Sequence, residues 1–190
     1  MNAKYWENRY KKGGDSGLGS YGLYCDYKSD YINRFLEKHK SIKSIVDFGC
    51  GDGNQISFFN LEGIRYLGID VSNFIVNELN EKYTNDAEKS FITYDEYIIE
   101  NFDLSISIDV IYHITDDITY YHYMDTLFSS SSKYIIIYST NNVDSVSENI
   151  THIKHREFLN DIPKNFSLIS KIEGPSGIST KFFVFEKIKN

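Results

Sequence analysis

The chain has only two cysteines, no run of basic residues and no apolar stretch long enough to cross a bilayer, and each shortage excludes a class of protein. Cys50 lies between Gly49 and Gly51, an awkward place for a structural disulfide, so a reducing compartment, the cytoplasm, is expected. Against 27 Asp and Glu stand 20 Lys and Arg, a formal charge of -7. That balance repels a phosphate backbone unless the basic residues gather on one face, and Lys154-His155-Arg156 is too short to do so. No nucleic-acid partner is expected. The opening MNAKYWENRYKKGG has no apolar core with a cleavage site, and nowhere does the chain reach the roughly 18 apolar residues that span a bilayer, so neither a leader nor a membrane partner is expected. Internal repeats are absent, and the serines 129 to 132 most simply end a helix.

What the chain does have is 41% hydrophobic and 16% aromatic residues over 190 positions, enough for one packed domain. Short β-branched or aromatic runs at 44 to 48, 64 to 69, 91 to 93, 103 to 108 and 134 to 138 read as buried parallel strands. Between them, Phe74, Ile75, Leu79 and Tyr83 share one helical face, and Tyr121, Met124, Leu127 and Phe128 another. A helix is also predicted over 31 to 40, preceded by a Gly- and Tyr-rich loop at 13 to 24 able to cover a ligand. Runs at 166 to 172 and 182 to 187, joined by the turn-rich EGPSGIST, predict an antiparallel hairpin. The fold class is therefore α/β: a Rossmann-like, doubly wound, mostly parallel sheet with helices on both faces and a C-terminal hairpin. Its expected divisions are an N-terminal helical or lid segment at 1 to 43, a ligand-binding core at 44 to 140, and an acceptor loop with the hairpin at 141 to 190.

The densest chemical signal is Val46-Asp47-Phe48-Gly49-Cys50-Gly51-Asp52-Gly53-Asn54-Gln55, a strand running into glycines and then into a helix. Glycines let a backbone approach a ligand that side chains would hold off. A dinucleotide fingerprint requires its third glycine at 54, where this chain has Asn54. A second strand ends in Leu67-Gly68-Ile69-Asp70-Val71-Ser72, which sets a carboxylate beside the glycine turn where it can accept both hydroxyls of a ribose.

On these residues the sequence resembles the class I S-adenosylmethionine-dependent methyltransferases, VDFGCGDGNQ matching their first motif and YLGIDVS their second. The resemblance covers residues 44 to 140. It implies S-adenosyl-L-methionine as cofactor, with Gly49, Cys50, Gly51, Gly53 and Gln55 in the turn beside it and Asp47 orienting the turn and the cofactor amine. Asp70, Val71 and Ser72 would lie at the ribose. Asp95 and Glu96 match the place where the family reads the adenine amine, or else charge a helix N-terminus. Asp109 and Val110, ending the fourth strand, match its fourth motif. Tyr5-Trp6-Glu7-Asn8-Arg9-Tyr10 and Ser16-Gly17-Leu18-Gly19-Ser20-Tyr21-Gly22 resemble a subset associated with bacterial surface-polysaccharide synthesis, in which Ser20 and Tyr21 would close the pocket.

For the acceptor, His113, His152 and His155 fall after the fourth and fifth strands. A methyl transfer needs alignment above all, and a base chiefly when the nucleophile is a hydroxyl. His113 is the candidate base, or caps the turn. His155 and Arg156 are candidate catalytic residues, Arg156 able to grip a phosphate or carboxylate through two parallel bonds; a solvated helix start is the other reading of 152 to 156. His152-x-x-His155 lacks a third ligand, and no metal is expected. The expected activity is O-methylation of a small, possibly anionic acceptor: a sugar, a sugar phosphate or a related phosphorylated precursor. The competing readings are a non-catalytic Rossmann-like nucleotide-binding protein and a nicotinamide-dependent oxidoreductase, and oligomeric state is not legible.

Overall fold

β-Branched and aromatic side chains that pack on both faces of a strand leave little choice of conformation, and the strands form where such runs occur. The computed structural model describes residues 3–143 and 152–188; residues 144–151, within the segment expected to hold the acceptor, lie outside the described residues. The chain forms two compact units, Ala3–Ile98 and the residues from Ile99 on.

The first unit contains α1 (Ala3–Lys11), α2 (Gly22–Lys38), β1 (Ser44–Phe48), β2 (Arg65–Asp70), α3 (Asn73–Lys82) and β3 (Lys89–Thr93). Its strands run parallel in the order β3-β2-β1, with Asp47 opposite Gly68 and Phe48 opposite Ile69. The second contains β4 (Phe102–Ile108), α4 (Asp117–Ser129), β5 (Ser131–Ser139), β6 (Phe166–Glu173) and β7 (Lys181–Lys187). There β4 and β5 are parallel, β7 is antiparallel to both β5 and β6, and the order is β4-β5-β7-β6. This is the mostly parallel, Rossmann-like α/β class, ending in the expected hairpin. No described helix is long and apolar enough to cross a membrane.

Several local expectations move. α2 begins at Gly22 rather than 31, because Cys25, Lys28 and Ser29 continue the buried stripe of Ile32, Phe35 and Leu36 at helical spacing. A lysine with no exposed surface hid that stripe. α4 buries Tyr120, Tyr123, Met124, Leu127 and Phe128, while Tyr121 faces solvent. α3 buries Ile75, Val76 and Leu79, and Ser72 caps it by accepting from the Ile75 N–H at 3.3 Å. Only Ser129 of the serine run ends a helix; Ser131 and Ser132 begin β5. The segment after the glycines is a single 3-10 turn, Gln55–Phe58, and not the expected helix.

Gly53 adopts φ +70°, and a Cβ there would stand 2.4 Å from Cδ2 of the buried Leu79, whereas Gly63 at φ +68° has open space. Gly63→Ala should cost about 1 kcal/mol for the left-handed backbone alone. Gly53→Ala should cost roughly 2 kcal/mol more, because it also overpacks the core. Urea unfolding of the two variants checks this; equal losses would show that Leu79 yields freely.

Candidate functional site

Where β1 leaves the sheet, its next residues remain bonded to β2. Gly49 N–H and Cys50 N–H both donate to the Ile69 carbonyl, at 2.7 and 3.1 Å. Gly51 N–H donates to Asp70 Oδ2 at 3.1 Å, and Ser72 N–H to Asp70 Oδ1 at 3.0 Å. The glycine turn and the β2 carboxylate are thus one construction. Gly49, Gly51 and Gly53 all have positive φ, at 84°, 58° and 70°, which accounts for three glycines in five positions.

The turn has no donor left for a phosphate. Asp52 N–H donates to Ser16 Oγ at 2.9 Å, Gly53 N–H to the Cys50 carbonyl at 3.3 Å, and Asn54 N–H to Asp52 Oδ1 at 3.0 Å. With every N–H from 49 to 54 satisfied inside the chain, and only a 3-10 turn following, there is neither an amide nest nor a helix N-terminus for a pyrophosphate. Asp70, by contrast, is an acceptor-only carboxylate with acceptor capacity beyond the backbone N–H groups that hold it, the kind of group that takes a ribose hydroxyl. A ribose fits this donor set; a dinucleotide does not.

Burial pushes Asp70 up to about 6, against the N–H groups of Ser72, Gly51 and Val71 that favour its charge. Asp47 is pushed further, to about 7, by burial, with the Tyr66 hydroxyl donating to its Oδ2 at 2.7 Å and the buried Lys28 cation pulling the other way. A cationic ligand group beside Asp47 would hold it ionised. Cys50 remains a thiol, its pKa raised by burial and by Asp70 and Asp47.

The other expected cofactor residues have mixed placements. Gln55 is turned away to α2, its amide donating to the Cys25 carbonyl and Ser29 Oγ at 3.2 and 3.1 Å. Val71 is half-buried, and Ser72 Oγ bonds Glu7 Oε2 at 2.5 Å. The Glu96 carboxylate closes a capping box on Thr93, accepting from its N–H and hydroxyl at 3.1 and 2.7 Å, which lowers its pKa. Asp95 is exposed on the same 3-10 turn. Tyr21 donates to Asp52 Oδ2 at 2.8 Å. Sequence reasoning named Glu7, Tyr10 and Ser16 only as part of the N-terminal segments and gave no role to Asp52 or Tyr66, although Asp52 sits between two of the glycines.

In the second unit, β4 ends at Asp109, the single non-glycine residue with positive φ (59°) among those described. That kink directs the chain into a 3-10 turn, Ile111–His113, whose entry residue is the half-buried Val110. Tyr112 returns to donate its hydroxyl to Asp109 Oδ1 at 2.8 Å. The three histidines do gather. His113 and His152 stack with ring centres 6.0 Å apart, and His155 lies 5.7 Å from the Tyr112 ring with its Nδ1 2.6 Å from Thr140 Oγ1. His113 Nδ1 bonds the His152 carbonyl at 3.3 Å; a carbonyl only accepts, so Nδ1 carries the proton and Nε2 the lone pair. Burial lowers the His113 pKa, which keeps the imidazole neutral.

Arg156 is placed differently from a ligand clamp. Its guanidinium donates to the carbonyls of Ile114 and Thr115 and to Asp117 Oδ1, at 2.6, 3.3 and 2.8 Å, and lies over the Tyr120 ring at 4.4 Å. Lys154 also pairs with Asp117, at 2.6 Å. Among the described residues no cluster of three or more His, Cys, Asp or Glu suits a metal ion.

A family model described as a methyltransferase domain matches residues 22–168. The chain resembles the N-methyltransferase NodS from Bradyrhizobium japonicum WM9, solved with S-adenosyl-L-homocysteine, at 13% identity with 100% of both chains covered and a TM-score of 0.80. It also resembles magnesium protoporphyrin IX methyltransferase from Synechocystis PCC 6803 with the same bound molecule, at 17% identity over 98% of both chains and a TM-score of 0.70. An S-adenosylmethionine-dependent methyltransferase from Clostridium acetobutylicum ATCC 824 matches at 14% identity, covering 95% of this chain and 99% of its own, with a TM-score of 0.69. No curated protein sequence matches the chain.

The ionised forms of Asp47 and Asp70, the forms expected to meet an ammonium group and ribose hydroxyls, are lost as pH falls through about 7 and about 6. Binding of S-adenosyl-L-homocysteine should therefore weaken by roughly ten-fold or more between about pH 8 and about pH 5.5. Calorimetry across that range reads it, and a flat profile would remove both carboxylates from the contact.

Proposed function

The chain belongs to the methyltransferase domain family, and we propose that it passes the methyl group of S-adenosyl-L-methionine to an oxygen of a small acceptor, a sugar or a phosphorylated sugar precursor. The observation that carries the cofactor reading is the Asp70–Gly51 hydrogen bond. It makes the glycine turn and the β2 carboxylate a single cradle for a nucleoside, in a loop with no amide left for a phosphate.

When bound, the cofactor would supply an electrophilic methyl group on a sulfonium, the acceptor oxygen forming the new bond to its carbon as the bond to sulfur breaks and the thioether leaves. Asp70 would hold the ribose, Asp47 would pair with the amine, and the exposed Asp95 would read the adenine amine, while Glu96 fixes its turn. On the acceptor side His113 is the base: its proton is held on Nδ1 by the His152 carbonyl, and the lone pair on Nε2 takes the proton of the attacking hydroxyl. His155, oriented by Thr140, is the second acceptor contact. Arg156 positions the turn at 114 to 117 that follows His113. Because Arg156 and Lys154 are already committed to Asp117, a neutral sugar hydroxyl finds more support than a phosphate-bearing acceptor.

His113→Ala should lower kcat by about 100-fold while leaving the cofactor Kd within about two-fold. Formation of S-adenosyl-L-homocysteine with a panel of sugars and sugar phosphates measures it. Turnover should also be lost as pH falls, with a midpoint below that of an ordinary histidine, because the neutral form does the work and burial lowers the pKa. Unchanged kcat in the variant would take His113 out of the mechanism; cofactor binding without turnover on any acceptor would favour a non-catalytic nucleotide-binding protein.

A further inference from the structure

Lys28 is the one charged side chain in the buried stripe of α2, and it has no exposed surface. A lysine stem is long enough to carry its ammonium out to water from most positions on a helix, so one enclosed completely is retained only where it is paired. This turn of α2 is fixed against the chain that follows the glycines. Gln55 donates to the Cys25 carbonyl and to Ser29 Oγ, at 3.2 and 3.1 Å, and these two residues bracket Lys28 in sequence.

Asp47 is as deeply enclosed. Ile45 lies opposite Tyr66 and Asp47 opposite Gly68, which puts Asp47, Tyr66 and Gly68 on one face of β1 and β2. That face is filled: a Cβ on Gly68 would stand 2.5 Å from the Phe91 ring and 2.9 Å from Cys50 Sγ. The Tyr66 hydroxyl donates to Asp47 Oδ2 at 2.7 Å. The other groups that act on its charge are Asp70 on β2, the Cys50 thiol in the turn, and Lys28 on α2, the one cation in the set. A carboxylate shut away from water with a second carboxylate nearby would otherwise take up a proton, and a buried counter-charge acts on it with little screening.

We propose that Lys28 is the positioning residue for the cofactor amine, a built-in counter-ion that keeps Asp47 a carboxylate in the empty site, so that the ligand's ammonium meets an anion and not a carboxylic acid. This rests on the reading of Asp47 as the partner of that amine.

Calorimetry with S-adenosyl-L-homocysteine, between about pH 6 and about pH 8.5, tests it. In Lys28→Met the Asp47 midpoint, about 7 in the unaltered chain, should rise by roughly one pH unit or more. Binding should then weaken about five-fold near pH 7 and recover toward about pH 8.5. Lys28→Arg should keep the original midpoint. 5′-Methylthioadenosine, which has the nucleoside and the thioether but no amine, should bind the Lys28→Met variant and the unaltered chain alike.

Urea unfolding without ligand supplies a second readout. Burial raises the Asp47 pKa above its ordinary value, so its effect is to lower stability as pH rises toward about 7 and to level off beyond. In Lys28→Met the decline should continue to higher pH, and adding Asp47→Asn should remove the difference. Should Lys28→Met fail to fold at neutral pH, the double variant with Asp47→Asn should restore folding. An unmoved midpoint in Lys28→Met, an equal loss of 5′-methylthioadenosine binding, or a destabilisation that Asp47→Asn does not relieve overturns the proposal. If the unaltered chain binds no S-adenosyl-L-homocysteine, the cofactor reading itself fails, and the urea comparison still reports whether Lys28 governs the charge on Asp47.

Discussion

A hydrogen bond from one glycine amide to one buried carboxylate, Gly51 to Asp70, ties the glycine turn after β1 to the end of β2. It requires β1 and β2 to be adjacent and parallel, in a register that brings Phe48 opposite Ile69, so that the chain leaving one strand meets the end of the other. It also requires a backbone at Gly51 that few side chains tolerate. In return, Asp70 has both oxygens positioned before any ligand arrives. Burial raises its pKa, and the surrounding N–H groups keep the rise moderate. A site organised in advance spends less binding energy on ordering itself.

Two carboxylates on either side of that bond have different surroundings. Asp47 is buried, faces one neutral phenol and the influence of a buried lysine, and stands near half-ionisation at neutral pH. Asp52, one residue past Gly51, is half-buried and engaged by donors from another part of the chain. The same chain region provides Glu7, whose carboxylate accepts from Ser72 Oγ and the Phe74 N–H at the start of α3. The N-terminal region is therefore joined to the core by acidic side chains receiving hydrogen bonds.

In the second unit the organising feature is a backbone kink. Asp109 at φ 59° turns the chain out of β4 at once, and the 3-10 turn that follows sets Tyr112 against Asp109 and His113 against the His152 carbonyl. Arg156 then clamps the stretch behind them through two carbonyls and Asp117. A residue read from sequence as a grip for an anion thus has most of its hydrogen-bonding capacity used in holding a turn.

The strand runs, the C-terminal hairpin, the glycine turn and the carboxylate at position 70 were legible in the sequence, because each depends on local chemistry. β-Branched runs favour strands, glycines permit positive φ, and a carboxylate at a strand end has a fixed relation to its neighbour. The start of α2 was not legible, since Lys28 and Ser29 occupy a buried stripe that periodicity assigns to apolar side chains. Nor was the 3-10 turn after the glycines, nor the fate of Arg156 and Gln55. The sequence by itself determined which residue types would form the glycine turn and the strand-end carboxylate beside it, and where along the chain they lie. Only the tertiary structure decided which donors remain unspent, that His113 keeps its proton on Nδ1, and that Ser16 meets Asp52 across 36 residues of chain. The reason is physical: propensity acts over a few neighbouring residues, whereas a hydrogen bond is decided by whichever partner the folded chain brings within about 3 Å.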